Sequence, residues 1–181
     1  MAESTSQAAC KPVLVALDLS ERSSPCLSHG CEMAAKLGQP LILVHVVHET
    51  TESMGMYRRY HKASDTTPLH DIARSMLEDR VAAFRESHDG LEHVCDIRLA
   101  VVGGVPETRI PELAKRYDAG MIVMCSHNRR GLSHWLDGSV TESVVRNAVC
   151  PVVVVGREEK PFAPVSFHRP SATETSAAHG V

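Results

Sequence analysis

The chain has 181 residues, about the length of one domain, which argues against a two-domain enzyme. Its 43% hydrophobic and 23% charged content is typical of a soluble globular protein and argues against a disordered chain. The net charge of −3 gives no overall electrostatic reason to expect a nucleic acid or an anionic membrane as a partner.

Residues 1–10 lack the apolar run of a signal peptide, and no stretch approaches the roughly 20 apolar residues of a membrane span. The six cysteines form no CxxC pair, which favours reduced thiols over a disulfide framework. We therefore expect a cytoplasmic protein that begins with a flexible tail over residues 1–10.

The first predicted element is a buried strand over residues 13–17, which delivers Asp18 to its carboxyl end. A helix should follow, because Ser24 is placed as an N-cap, Pro25 takes the first helical position and Gly38 marks the end. Its predicted apolar face consists of Leu27, Gly30, Cys31, Ala34 and Ala35.

The second strand is predicted over residues 41–47, where a nearly continuous apolar run favours a parallel sheet covered on both faces. Residues 48–67 are polar without a clear period, and we interpret them as a long connection or a partly ordered excursion. A candidate partner-docking surface within this segment consists of Met54, Met56, Tyr57, Arg58 and Arg59.

The alternation of strands and helices continues to residue 155. Helices are predicted over about residues 69–87, from Pro106 onward, and after Gly138 and Ser139. Strands are predicted at residues 93–102, 121–125 and 152–155. The last helix should bury Val140, Val144, Val145 and Ala148 on one face. The pattern predicts an α/β fold with a doubly wound parallel sheet and right-handed crossovers.

Candidate site residues lie where ligands collect in such a fold, outside the carboxyl ends of the strands at the point where the winding reverses. Asp18 leaves the first strand there, and the loop after Cys125 leaves the fourth strand at the same edge. Ser139 and Glu142 fit a capping box that ends this loop. The alternative is anion binding, because Gly138 lets a ligand approach a helix N-terminus.

Other chemistries receive less support from the sequence. Ser126 and His127 are adjacent, but no GxSxG elbow surrounds them. His45 and His48 lack zinc-site spacing, so we expect no metal site. Cys125 is either an inert thiol at a strand end or a redox-sensitive one at the mouth of a cleft.

An ordered set of fragments resembles the universal stress protein family. The fragments are Asp18-Leu19-Ser20, Val44-His45-Val46, residues 118–125 (DAGMIVMC), Ser126-His127, Gly138-Ser139-Val140 and residues 150–155 (CPVVVV). The resemblance implies a three-layer, Rossmann-like fold of the adenine nucleotide alpha hydrolase type, with five parallel strands in the order 3-2-1-4-5. It places the domain at residues 11–160, before a disordered tail over residues 161–181.

One branch of this family binds ATP between the first and fourth strands through a G-x2-G-x9-G-[ST] pattern. This chain has Cys125 and Asn128 at the first two glycine positions and keeps the last glycine. The resemblance implies that Asp18 contacts the ribose or adenine and that the Val46 backbone contacts adenine. The phosphates, with Mg²⁺, would be lined by Asn128, Gly138, Ser139 and Val140, beside Cys125.

The function that the sequence favours is a non-catalytic, cytoplasmic stress-response module that binds ATP or AMP and forms a homodimer. An uncovered strand of four valines at residues 152–155 would invite aggregation, so pairing with a second copy is its natural protection. Two alternatives stay open at this stage. One is an interaction module of the universal stress protein A type that binds no nucleotide, and the other is a slow ATP hydrolase that uses His127 and Ser139.

Overall fold

The structure is a computed structural model, and it describes residues 10–20, 23–48, 57, 67–87, 96–125 and 140–156. The described strands are β1 (Val13–Ala16), β2 (Leu41–Val47), β3 (Ile97–Gly103), β4 (Met121–Cys125) and β5 (Val152–Val155). The described helices are α1 (Ser24–Leu37), α2 (Leu69–Ser87), α3 (Pro106–Arg116) and α4 (Val140–Asn147). The predicted tails, apart from residue 10, lie outside these ranges.

The five strands form one parallel sheet in the order β3-β2-β1-β4-β5, which confirms the predicted fold class and topology. β1 is central, since Val13 pairs with Leu41 on one side and with Met121 on the other. The chain moves from β1 outward to β3 and then returns to β4 beside β1. The reversal therefore falls between the carboxyl ends of β1 and β4, where doubly wound sheets bind ligands.

The sheet is covered on both faces, as its apolar strands predict. β2 is buried at every position, so its side chains alternate between two cores. Leu41, Leu43 and Val47 enter the core under α1 and α2. Ile42 and Val46 enter the core under α3 and α4. Among the described residues, no helix combines the length and apolar character that a bilayer crossing requires.

Several predicted boundaries need correction by one residue. β1 ends at Ala16 rather than at residue 17. The N-cap of α1 is Ser23, whose hydroxyl donates to the Ser20 carbonyl oxygen at 2.7 Å instead of capping the helix. Gly38 ends this helix in the left-handed conformation, as predicted, with φ of 61°. β3 ends at Gly103 rather than at residue 102, and the predicted positions 93–95 lie outside the described residues.

The predicted buried face of α4 is also wrong at one position. Val144 is fully buried in the second core, whereas Val145 is 50% exposed. Successive helical residues are rotated by about 100°, so two neighbours cannot both point at the core of so short a helix. Ala148 follows the helix end at Asn147 and packs against the core from there.

Gly30 sets how closely α1 can approach the sheet. A Cβ built at this position would overlap Cγ2 of Val15 on the central strand. Val15 is fully buried, so it has no free space into which it can move. The glycine is therefore a packing requirement, although glycine inside a helix otherwise costs about 0.5–1 kcal/mol relative to alanine.

Replacing Gly30 with alanine should lower the free energy of unfolding by about 1–3 kcal/mol, the usual cost of overpacking a core. Helix propensity alone predicts the opposite sign, so urea denaturation of G30A distinguishes the two effects. In the double variant G30A/V15A, the removed methyl groups make room for the new one. Its loss should be smaller than the sum of the two single losses, and an additive result would contradict the close contact.

Candidate functional site

A cavity of about 430 Å³ opens at the carboxyl ends of β1, β2 and β4 and reaches the first turns of α3 and α4. Its volume lies within the range of about 300–1,000 Å³ that small-molecule sites occupy. Its apolar lining includes Ala16, Val44, Val46, Ile110, Met124 and Val140. Its polar lining includes Asp18, His45, His48, Tyr57, Glu107, Cys125 and Thr141.

The cavity exists because β1 is shorter than its neighbour. Ala16 is the last residue of β1 and pairs with Val44, whereas β2 continues to Val47. The Leu17 amide still donates to the Val44 carbonyl oxygen at 2.9 Å. Alternate residues of a strand direct their backbone groups to the same side, so the N–H and C=O of Val46 face the gap beyond the end of β1.

The Asp18 side chain is held by a local turn. Its Oδ1 accepts hydrogen bonds from the Ser20 amide at 3.0 Å and from the Ser20 hydroxyl at 2.9 Å. Between them, Leu19 has φ of 60°, a left-handed conformation that side chains rarely adopt. Arg80 of α2 donates to the Leu19 carbonyl oxygen at 3.1 Å and thereby restrains this turn from the side of the neighbouring helix.

His45 is buried beside the cavity and makes two hydrogen bonds of 2.7 Å, to the Leu17 carbonyl oxygen and to the Tyr57 hydroxyl. A carbonyl oxygen can only accept, so Nδ1 carries the proton and Nε2 accepts from Tyr57 in the neutral ring. Burial lowers the pKa of His45 below its ordinary value of 6.5, against the opposing effects of the Leu17 carbonyl and the Asp18 charge. Burial also raises the pKa of Tyr57 to about 12.

This arrangement removes Tyr57 from the predicted docking surface in residues 48–67. Tyr57 is 1% exposed and contacts His45 edge-on, so its ring is not available to a partner. The other four residues of that surface, Met54, Met56, Arg58 and Arg59, lie outside the described residues. His48 lines the cavity, and its Nδ1 donates to the Gly104 carbonyl oxygen at 3.0 Å. In the described part of the chain, no three His, Cys, Asp or Glu side chains are grouped as a metal site requires.

Cys125 brings a second thiol to the site. It is half-buried at the end of β4, and its side chain shares a hydrogen bond with Cys26 in the first turn of α1. This bond, burial and the nearby charge of Asp18 raise the pKa of the Cys26 thiol well above its ordinary value. The sequence does not predict the pairing, because 99 positions separate two residues that only the α1–β4 packing joins.

The structure brings four of the predicted site residues together around the cavity: Asp18, Val46, Cys125 and Val140. The other three, Asn128, Gly138 and Ser139, lie outside the described residues, as do Ser126 and His127. The sequence did not predict the following polar lining residues as members of the site: Ser23, His45, His48, Tyr57, Glu107 and Thr141. A signal existed for Glu107 alone, since Pro106 marks the first turn of a helix whose start lies at the carboxyl edge of the sheet.

The described lining is acidic. It contains the carboxylates of Asp18 and Glu107 and, among the described residues, no lysine or arginine. Carboxylates accept hydrogen bonds from hydroxyl and amino groups and repel phosphate. This part of the cavity is therefore suited to the uncharged, donor-rich end of a ligand.

Comparison with known proteins gives the family. A sequence model described as the universal stress protein family matches residues 10–156. A universal stress protein of Methanocaldococcus jannaschii is 42% identical over 151 residues, which are 83% of this chain and 84% of the relative. One of Mycolicibacterium smegmatis is 28% identical over 144 residues, 80% of this chain, and this chain spans only 45% of its length.

Solved structures show the same fold. The universal stress protein of Archaeoglobus fulgidus in complex with dAMP has a TM-score of 0.54 at 21% identity, over 80% of this chain and 96% of that one. A universal stress protein in complex with cAMP has a TM-score of 0.53 at 21% identity, over 83% of this chain and 99% of that one.

The lowered pKa of His45 predicts a pH-dependent stability. The unfolded chain takes up a proton near pH 6.5, while the folded chain does so only at lower pH, so the free energy of unfolding should fall as the pH drops below 6.5. The slope should approach about 1.4 kcal/mol per pH unit within the window between the two pKa values. Urea denaturation between pH 7.5 and 5 measures it.

Two variants separate His45 from the other histidines. H45Q, which cannot titrate, should be less stable but show a smaller slope, whereas H29Q at an exposed position of α1 should keep the slope of the parent. An unchanged slope in H45Q would contradict the role of the buried ring.

Proposed function

Because this chain belongs to the universal stress protein family, we propose that it is a dimeric, cytoplasmic stress-response protein that binds AMP or ATP in the cleft between β1 and β4. The observation that carries the nucleotide proposal is the cavity at the reversal point of the sheet, with the Asp18 carboxylate in its lining. Two structural relatives in complex with dAMP and cAMP support adenine as the common part of the ligand.

The base fits the gap beyond β1. Ala16, Val46 and Met124 supply apolar walls from three adjacent strands, which suit the faces of a flat ring. The Val46 backbone offers one donor and one acceptor toward the gap. Adenine presents the complementary acceptor N1 beside the donor amino group, whereas guanine presents the reverse order on the corresponding edge. The geometry therefore supports adenine over guanine.

The ribose and phosphate occupy different surroundings. Asp18 is positioned by Ser20 to accept hydrogen bonds from ribose hydroxyls. The phosphates point toward the first turn of α4, where Val140 and Thr141 line the cavity and the helix dipole favours negative charge. We assign Asn128, Gly138 and Ser139 to the phosphate side, as the family resemblance implies.

With ATP, Mg²⁺ accompanies the phosphates. The described residues form no cluster of three metal-ligating side chains, so this part of the chain supplies no cage for this ion. Magnesium bound by nucleotide phosphates and water needs none, which makes the residues present compatible with it.

Binding is tested by isothermal titration calorimetry with AMP, ATP and GTP, with and without Mg²⁺. We expect saturable binding of the adenine nucleotides and at least tenfold weaker binding of GTP. The D18N variant keeps an oxygen for Ser20 but loses the charge, so its affinity should fall about tenfold or more. D118N is the matched control, because Asp118 is exposed at the opposite edge of the sheet and pairs with Lys11 at 2.8 Å.

Absence of saturable binding to the folded protein would refute the nucleotide site and favour the interaction module of the universal stress protein A type. Phosphate release measured in the same samples addresses the hydrolase alternative, for which we expect no turnover above background.

The dimer proposal depends on β5. This strand is at the edge of the sheet and pairs with β4 on one side, and Val154 is 38% exposed. An exposed apolar edge strand recruits another strand unless charges or bulges protect it, and a second copy of β5 offers the same edge. We therefore place the dimer interface at Val152–Val155.

Replacing Val154 with lysine should weaken the dimer by at least tenfold, because the two copies would bring like charges into an apolar interface. Sedimentation equilibrium measures the change. V105K introduces the same charge at another exposed valine, 48% exposed, before α3 and should leave the association constant unchanged. A V154K protein that dimerises like the parent would move the interface elsewhere.

A further inference from the structure

We propose that Cys26 and Cys125 form a redox-active dithiol, which a hydroperoxide converts into an intramolecular disulfide beside the cavity. The two side chains share a hydrogen bond. They meet because α1 packs against β1 and β4, so Cys26 lies in the core cluster against which Cys125 packs. This site is independent of the nucleotide proposal, since it requires the fold and the two thiols alone.

The two thiols differ in access. Cys125 is half-buried and lines the cavity, so a small oxidant that enters the cavity reaches it first. Cys26 is fully buried and contacts the Ala16 carbonyl oxygen at 3.9 Å, so it meets no solvent-borne oxidant. The raised pKa of Cys26 keeps its thiol protonated in the reduced protein, so Cys26 must release its proton as it attacks Cys125.

The reaction balances in two steps. The Cys125 thiol releases its proton as its sulfur attacks the terminal oxygen of the hydroperoxide, and the O–O bond breaks. The leaving alkoxide takes up that proton and departs as an alcohol, while Cys125 becomes a sulfenic acid. The Cys26 sulfur then attacks the Cys125 sulfur, and the hydroxide leaves with the Cys26 proton as water. Two thiols are oxidised by two electrons, and one hydroperoxide is reduced to an alcohol and water.

The disulfide would change the cavity. Its sulfur atoms lie about 2.05 Å apart, closer than any hydrogen-bonded pair of thiols, so oxidation brings the two sulfur atoms together and links the first turn of α1 covalently to the end of β4. The turn from Asp18 to Ser20 leads directly into α1, and its conformation is already constrained at Leu19. Oxidation therefore acts on the same segment that presents the Asp18 carboxylate.

The other three cysteines that the structure describes are less suited to this role. Cys31 is also on α1, but burial alone raises its pKa, to about 12, with no contribution from a second thiol. Cys150 is half-buried and packs against the opposite core. Cys10 is exposed at the start of the described chain.

The test is disulfide mapping of the full-length protein. Reduced protein is treated with hydrogen peroxide, its remaining thiols are alkylated under denaturing conditions, and its peptides are identified by mass spectrometry. We expect a Cys26–Cys125 cross-linked peptide that dithiothreitol reverses and a loss of two alkylatable thiols per chain. C31S is the matched buried control on the same helix and should retain the cross-link.

Two variants test the order of reaction. C125S should abolish the cross-link and leave Cys26 reduced. C26S should abolish it and leave Cys125 as a sulfenic acid that dimedone traps, because the second thiol is missing. Oxidation of Cys125 to sulfinic acid without a cross-link in the parent protein would overturn the proposal, as would a cross-link that forms only between chains or that C31S removes. Mapping of the parent decides the matter even where a variant fails to fold.

Discussion

The early end of the central strand is the constraint on which the site depends. β1 stops at Ala16, three residues before β2 stops at Val47 in the paired register. In a parallel sheet every missing residue of a central strand leaves backbone groups on its neighbours without a strand partner. The gap beyond Ala16 is filled in part by the His45 ring, which spans from Leu17 to Tyr57, and the remainder is the cavity.

The turn after β1 is held from three directions. Ser20 bonds the Asp18 carboxylate, Ser23 bonds the Ser20 carbonyl, and Arg80 bonds the Leu19 carbonyl. A left-handed leucine costs about 1–3 kcal/mol and persists only where its surroundings determine it. Leu19 is also 3% exposed, so the apolar core contributes a fourth restraint. The position of Asp18 is thus set by the packing of α1 and α2 and not by the turn sequence alone.

The sequence predicts the positions of the strands well because each strand has a local sequence pattern of its own. The apolar run of β2, the valines of β5 and the helix stop at Gly38 each carry their own signal, and the structure confirms all three. The resemblance to the family supplied the strand order, which periodicity does not contain. Neither the periodicity nor the resemblance predicted Tyr57 in the core. A single aromatic residue in a polar segment forms no periodic pattern, and nothing in the sequence pairs it with His45 of β2.

The sequence does not predict the contact between Cys26 and Cys125 for a related reason. Cys125 is recognisable as a residue at a strand end, but nothing in the sequence aligns it with Cys26, since α1 crosses β1 and β4 at an angle that only the packed structure fixes. Gly30 is the residue that permits this crossing, because its missing side chain lets α1 lie directly on Val15. The close packing of one helix on the central strand therefore also determines which cysteines meet.

The charge of the cavity lining limits which part of the proposed nucleotide each region can bind. Asp18 and Glu107 make the described lining acidic, so in the proposed nucleotide site this part of the cavity suits the base and ribose and opposes the phosphates. Favourable energy for the phosphates must come from the first turn of α4 and from the segment before it, in which Arg129 and Arg130 occur. In the proposed site, base selectivity then comes from the sheet edge, and Asp18 adds affinity through the ribose.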